Sequence, residues 1–172
     1  MRIRNLHIIL ITFLFVFLSN IVFGQMANYK SLYVYNFIKR IEWPSSEENR
    51  ASFNILVIGD NTTADAIHQI SLNKKSGTRI IEVFQNDNPE SFENIDLIYV
   101  GYSKRKELDD IALKIGSAPI LLVSDYKHAK ESDINFMETS DGLEFTIRPK
   151  KIRKKGLKIN DSLILLGKQE DD

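Results

Sequence analysis

The chain has 172 residues, of which 43% are hydrophobic and 27% charged, a composition typical of a folded globular protein. Its 23 basic and 23 acidic residues cancel, which excludes the generally basic class of nucleic-acid-binding protein. Cysteine is absent and there are three histidines. Disulfides, thiolate catalysis and cysteine-based zinc sites are therefore excluded, and a multi-histidine metal site is not expected.

The first 24 residues have the pattern of a cleavable signal peptide. Two arginines precede an apolar run over residues 8–18, and Gly24 ends a segment that suits a cleavage site. The run is shorter than the about 20 apolar residues of a transmembrane helix, and the alternative is an uncleaved N-terminal anchor. We expect residues 1–24 to be removed and residues 25–172 to form one periplasmic domain.

Helices and apolar strands alternate along the following part of the chain. The predicted helices cover residues 28–42, 64–72 and 104–115, and the predicted strands cover residues 53–58, 78–84, 96–100 and 119–124. Ser103 is expected to cap the third of these helices. The near-continuous apolar strands favour a parallel sheet with both faces covered.

The first predicted helix carries its aromatic and apolar side chains at spacings of three and four. On a helical wheel, Tyr29, Tyr33, Phe37 and Ile41 share one face, which we expect to point towards the core. Trp43 precedes a proline and should mark the end of the helix.

The end of the chain departs from the alternation of helix and strand. The expected elements are a hairpin over residues 134–148 with its turn at 140–142, a short helix from Pro149 to Gly156, and a last helix over residues 162–167. Asn160 or Asp161 can cap the last helix. The predicted fold is a single α/β domain with a mostly parallel central sheet, flanking helices and a C-terminal β-hairpin.

The sequence contains no recognisable catalytic arrangement. Residues 59–63 join a strand to a helix, where doubly wound sheets place ligands, but they lack the glycines of a dinucleotide or phosphate loop. We interpret them as a turn in which Asp60 or Thr62 caps the helix. No serine lies in a GxSxG motif, and His68 and His128 have no metal-binding spacing. We therefore predict a protein that is not an enzyme and uses no cofactor or metal.

Two features are candidates for contact with a partner. A basic stretch near the end comprises Arg148, Lys150, Lys151, Arg153, Lys154, Lys155 and Lys158. It is either a solvated helix face or a patch for an acidic protein surface or anionic lipid. Tyr35 and Trp43 are the second feature, and each either packs in the core or contacts a partner. The residues predicted to bind a partner are Tyr35, Trp43, Lys150, Lys151, Lys154 and Lys155.

Residues 29–44 read YKSLYVYNFIKRIEWP and resemble the YxYNFxKxxxWP-type opening helix of the YfiR/HmsC-like family. Later pieces are similar to that family in the same order: residues 53–59, 95–101 and 120–125 to its strands, 133–136 and 143–147 to its closing hairpin, and 156–166 to its ending. The resemblance spans nearly all of residues 29–167.

The resemblance implies an exported periplasmic α/β protein with a regulatory role and no catalytic residues. Such proteins bind the external sensory part of a membrane signalling protein, typically a diguanylate cyclase, and hold it inactive; release raises cyclic di-GMP and biofilm output. This chain lacks the cysteine pairs of some members, so redox control by a disulfide cannot apply, and residues 130–133 replace the usual glycine-rich lead-in to the hairpin.

Three alternatives stay open at this point. The partner could be a sensor histidine kinase, or a second copy of the chain could form a homodimer. The protein could instead bind a small molecule in a crevice at the strand ends near Gly59 and Gly101. Nucleic acid is not an expected partner.

Overall fold

The structure is a computed structural model that describes residues 25–44, 50–140 and 142–170. The predicted signal peptide and Asp141 in the predicted hairpin turn lie outside the described residues. The elements are α1 (25–40), β1 (Ile41–Glu42), β2 (Ser52–Ile58), α2 (Asn61–Ser71), β3 (Lys75–Ser76), β4 (Arg79–Gln85), β5 (Leu97–Val100), a 3₁₀ helix (Tyr102–Glu107), α3 (Leu108–Ile115), β6 (Leu121–Ser124), β7 (Ile134–Thr139), β8 (Gly142–Ile147), α4 (Pro149–Lys154), β9 (Lys158–Ile159), α5 (Asp161–Leu166) and β10 (Lys168–Gln169).

One sheet organises the domain, and its strand order is β10-β8-β7-β6-β5-β2-β4-β3. Neighbouring strands are parallel except in the β7–β8 hairpin and the β3–β4 pair. The chain runs from β2 outwards to β4 and then crosses back to β5 on the other side of β2. The predicted α/β fold with a mostly parallel sheet and a C-terminal hairpin is thus confirmed.

Apolar side chains are buried on both faces of the sheet. In β5, Leu97 and Tyr99 join the larger core cluster, whereas Ile98 and Val100 join the smaller one, which α3 covers. The larger cluster contains the aromatic residues of α1 and the hairpin, with the Phe37 and Phe145 rings 5.1 Å apart. This two-sided burial explains why the strands read as continuous apolar runs.

The first helix ends earlier than predicted. Residues 41 and 42 form β1, which pairs antiparallel with β9 in a second, two-stranded sheet. The Asn160 backbone amide donates to the carbonyl of Arg40 at 2.9 Å, and this bond holds the segment after β9 against the end of α1. The prediction of a helix over residues 28–42 was therefore wrong at residues 41 and 42. These residues pair with a segment more than 100 positions away in sequence, and local periodicity cannot reveal such a pairing.

The predicted core face of α1 was wrong at one position. Tyr29 is 57% exposed, whereas Val34, Phe37 and Ile38 are buried. The buried stripe is rotated on the helix and includes Lys30.

The capping predictions had mixed outcomes. Asp60 caps α2 by accepting a hydrogen bond from the Thr63 amide at 2.9 Å, and Asn160 caps α5. Ser103 is not an N-cap, because the residues after Gly101 form a 3₁₀ helix before α3 begins. Its hydroxyl instead donates to the carbonyl of Gly59 at 2.6 Å. No helix in the described ranges 25–44, 50–140 and 142–170 has the length and apolarity to span a membrane.

Candidate functional site

A crevice opens where β2, β5 and β6 end. These strands flank the point at which the chain changes direction across the sheet, the place where open α/β sheets bind ligands. The crevice encloses about 370 Å³, and its walls include Gly59 and Asp60 after β2, Tyr102 after β5, and Asp125 after β6. The crevice lies at the strand ends where the small-molecule alternative placed one; Gly59 lines it, whereas Gly101 precedes the lining residue Tyr102.

Two glycines allow the ends of β2 and β5 to approach closely. A Cβ at Gly101 would lie 2.6 Å from the carbonyl oxygen of Gly59. Gly59 has φ +74°, and a Cβ there would lie 2.6 Å from the Ser103 hydroxyl. Any larger residue at either position would push the crevice walls apart.

A buried ammonium stands between two carboxylates in the wall of the crevice. The Lys30 residue is 5% exposed, and its Nζ lies 2.8 Å from the Asp125 carboxylate and 3.1 Å from that of Glu138. Burial alone would lower the pKa of Lys30, but attraction and hydrogen bonds to the carboxylates outweigh burial and raise that pKa above its usual value. Lys30 is therefore charged at neutral pH.

The carboxylates of the crevice also influence one another. Burial raises the pKa of Asp125, Lys30 opposes this, and the charges of Glu138 and Asp60 raise the Asp125 pKa further. The Asp60 carboxylate accepts hydrogen bonds from the Thr63 hydroxyl at 2.6 Å and the Tyr99 hydroxyl at 3.3 Å. Asp60 is thus held in place at the mouth of the crevice by its role in capping α2.

The basic stretch divides into inward and outward side chains. Three cations point inwards: Lys155 Nζ lies 2.7 Å from the buried carboxylate of Asp133, Lys151 Nζ donates to the carbonyl of Lys130 at 2.8 Å, and Arg148 bonds to the carbonyl of Ser132 at 3.0 Å. Burial, together with the nearby Lys155 and Arg148 charges, lowers the pKa of Lys151. Lys151 and Lys155, two of the predicted partner-binding residues, therefore anchor α4 to the body of the protein.

The other cations of the stretch are exposed to solvent. They are Lys150, Arg153, Lys154 and Lys158. Lys150, Arg153 and Lys154 belong to α4 itself, so a helix fixed by its inward cations presents them together. We call these three residues the α4 cation face.

The two aromatic candidates occupy different environments. Tyr35 is half-buried, and the Lys39 and Lys74 ammonium groups lie 5.9 and 6.0 Å from its ring centroid. Trp43 is 6% exposed, its ring meets Phe53 edge-on at 4.8 Å, and its indole N–H donates to the carbonyl of Asp96 at 3.2 Å. Trp43 is therefore part of the core, whereas Tyr35 keeps a surface that a partner could contact.

The described residues form no group of three or more His, Cys, Asp or Glu side chains that could hold a metal ion. The His128 ring meets Tyr126 edge-on at 5.7 Å, and the carbonyl of His68 accepts from Ser71 near the end of α2.

Sequence reasoning missed the ionic centre of the crevice. Lys30, Tyr99, Asp125 and Glu138 come from four separate elements or their ends, and only the folded sheet brings them together. One signal was available: Lys30 shares the helical stripe of Val34 and Phe37, and a lysine on a buried stripe requires a partner.

Comparison with known proteins gives the family. No curated protein matches the chain in sequence. The family model described as YfiR/HmsC-like matches residues 27–168, which include most of α1 and of the crevice lining, and all of α4 and β9. This match covers most of the 172 residues. The chain therefore belongs to the YfiR/HmsC-like family.

Proposed function

We propose that this protein is a periplasmic regulator that binds the external sensory domain of a membrane-bound signalling protein, such as a diguanylate cyclase, and lowers its output. Proteins of the YfiR/HmsC-like family are periplasmic regulators of cyclic di-GMP signalling, which supports this proposal. In this proposal the protein reaches the periplasm after removal of residues 1–24. The partner's cytoplasmic domain synthesises cyclic di-GMP, and binding of the protein to the external domain lowers that synthesis.

The α4 cation face is the observation that carries the proposal. Arg148, Lys151 and Lys155 fix α4 against the rest of the fold, so Arg153 and Lys154 project from a rigid element. Exposed cations placed in this way steer encounter with an acidic surface and select the orientation of docking. Tyr35 supplies a candidate aromatic anchor of the kind that is enriched at binding hot spots.

Regulation would follow from unequal affinity for two conformations of the partner. If the protein binds the inactive conformation more tightly, it shifts the partner's population towards that state without any chemical step. The size of the shift is limited by the ratio of the two affinities. This mechanism requires a specific surface and no catalytic residue.

Charge reversal on the cation face tests the proposal. The variant R153E/K154E should bind the external domain of the partner about tenfold more weakly, with a flatter dependence of affinity on salt, because two exposed charge interactions become repulsive. The matched control is K106E/K114E, which makes the same change in net charge at two exposed lysines outside α4. Lys151 is unsuitable for this test, because its ammonium bonds to backbone carbonyls inside the fold.

Equal affinities for R153E/K154E and the control would remove the cation face from the interface. If the partner is a sensor histidine kinase, the regulatory role is the same, and kinase activity replaces cyclic di-GMP synthesis as the output to be assayed.

The strand-end crevice favours a second candidate function, the binding of a small solute, because such a cavity at this point of the sheet is where ligands bind in related architectures.

A further inference from the structure

The crevice at the ends of β2, β5 and β6 has the size of a ligand site. Its volume of about 370 Å³ falls in the range of cavities that enclose small molecules. A second cavity of about 550 Å³ adjoins it, and Tyr102, Asp125 and Glu138 border both. The second cavity is also lined by Lys127, whose charge disfavours a cation there, so a cationic ligand would occupy the first cavity and the three side chains that border both.

The interior of the crevice carries an imbalance of charge. The ionisable side chains that line it are Lys30, Asp60, Asp125 and Glu138, so one ammonium faces three carboxylates. Lys30 bonds to two of these carboxylates, and the third, Asp60, accepts hydrogen bonds from neutral hydroxyls. With all four groups ionised, the net charge of the lining is −2, from one positive and three negative groups.

This imbalance selects the charge of a ligand. An anion would have to separate Lys30 from Asp125, because that ammonium is the cation of the lining and is already paired at 2.8 Å. A metal ion does not fit either, because the described residues contain no group of three or more ligands close enough to hold one. A cation whose charge is spread along an organic chain can meet separate carboxylates without bringing them together.

One side chain of the lining is well suited to meet such a ligand. Glu138 is exposed at 57% of its side chain, although it also contacts Lys30, so its carboxylate can accept a second hydrogen bond from a molecule that enters. Tyr102 is 53% exposed and forms part of the wall, but the Arg105 guanidinium already lies 4.1 Å from its ring centroid, so the ring is an apolar wall rather than an open cation-binding face. Together these groups offer a carboxylate and an aromatic wall at the mouth of the crevice.

We propose that the strand-end crevice binds a small aliphatic ammonium compound, with Asp125 and Glu138 holding an ammonium group and a diamine matching the full charge of the lining. This inference goes beyond the regulatory role and does not depend on it. Binding of a small solute is measured on the purified protein alone, whereas the regulatory role is measured with a membrane partner, so either can fail separately.

A series of five-carbon probes tests the proposal by calorimetric titration of the protein purified from the envelope. Cadaverine carries two ammonium groups, pentylamine one, pentanol none, and glutarate two carboxylates. Cadaverine should bind, pentylamine should bind about tenfold more weakly, and pentanol and glutarate should not bind, because each ammonium lost removes a charge-assisted hydrogen bond.

The variant E138Q locates the site. It should weaken cadaverine binding about tenfold, because it neutralises the exposed carboxylate of the crevice. The matched control is E82Q, which makes the same substitution at an exposed glutamate on β4 outside the crevice and should leave the affinity unchanged. Glu138 is largely solvent-exposed, so its substitution should not prevent folding, and the melting temperature of each variant checks this.

Three results would overturn the inference. The first is no heat of binding with cadaverine at concentrations up to about 10 mM, which corresponds to a negligible interaction. The second is binding of glutarate as tight as that of cadaverine, which would contradict selection by charge. The third is equal cadaverine affinity of E138Q and E82Q, which would place any binding elsewhere on the protein.

Discussion

Replacing Lys155 by methionine tests the division of the basic stretch into inward and outward cations. Lys155 is an inward cation, and its Nζ lies 2.7 Å from the carboxylate of Asp133, which is fully buried. Methionine keeps an unbranched side chain of similar length but removes the charge. The matched variant is K154M, which makes the same substitution at the adjacent, exposed position.

The expected losses of stability differ strongly between the two variants. Breaking a buried ion pair by removing one partner costs about 3–5 kcal/mol, because the remaining charge stays buried. Asp133 retains a hydrogen bond from the Leu122 amide at 2.7 Å and lies near Lys151, so we expect the lower end of the range for K155M. For K154M we expect a change within about 0.5 kcal/mol, as for most surface substitutions.

Urea denaturation of both variants measures this difference. A loss of about 3 kcal/mol in a domain of this size also corresponds to a fall of about 6–12 °C in melting temperature. Equal free energies of unfolding for K155M and K154M would refute the assignment of Lys155 as an anchor. The slope of the free energy against urea concentration should be unchanged in both variants if the same surface is exposed on unfolding.

The pH dependence of the K155M defect gives a second check with a defined sign. Burial raises the pKa of Asp133, and Lys155 opposes that rise, so removing Lys155 should raise the Asp133 pKa further. A carboxyl group whose folded-state pKa is raised takes up its proton before the unfolded chain does, and protonation therefore stabilises the folded state as the pH falls. The defect of K155M should thus shrink between neutral pH and about pH 4. A defect that grows over this range would contradict the account.

Two further substitutions test the crevice and the core. G59A should destabilise the protein by about 2–3 kcal/mol, because φ is +74° and the new Cβ would lie 2.6 Å from the Ser103 hydroxyl, whereas G77A, at φ +61° with no atom within 4 Å, should lose only about 1 kcal/mol. Equal losses in thermal melts would contradict the close approach of the strand ends. W43F should cost about 1–3 kcal/mol, because it removes the indole hydrogen bond to the Asp96 carbonyl, which keeps its bond from the Leu121 amide, and because the smaller ring packs less fully on Phe53. Partner affinity should not change, and a loss of affinity in a folded W43F protein would show that Trp43 contributes to the interface.

Most of the fold could be predicted from the sequence, because its strands are apolar runs and the caps at Asp60 and Asn160 are local, although the predicted cap at Ser103 was wrong. The segments around Ile55 and Leu122 read as buried strands without knowledge of their neighbours. The pairing of β1 with β9 could not be predicted, since two-residue strands carry no periodic signal. The edge strand β10 escaped prediction for the same reason.

The candidate sites were less predictable than the fold. The residue types showed that the segment containing Lys154 and Lys155 is basic, but they did not show which of its cations points inwards. That depends on Asp133, which folding places beneath α4. The ionic centre at Lys30 likewise depends on strand ends that only the sheet order brings together. The sequence therefore offered the strand-end position beside Gly59 as an alternative site, while the charge of the crevice became visible in the folded structure.

Site-specific photo-crosslinking in intact cell envelopes tests the central claim most directly. A photoreactive amino acid at position 153 of the full chain probes the α4 cation face, and the same group at the exposed position 114 serves as the control. We predict that position 153, and not position 114, crosslinks to a membrane protein that has an external sensory domain and a cytoplasmic cyclase or kinase domain. Recovery of the uncrosslinked chain alone from position 153 under all growth conditions, or the same products from both positions, would contradict the regulatory account.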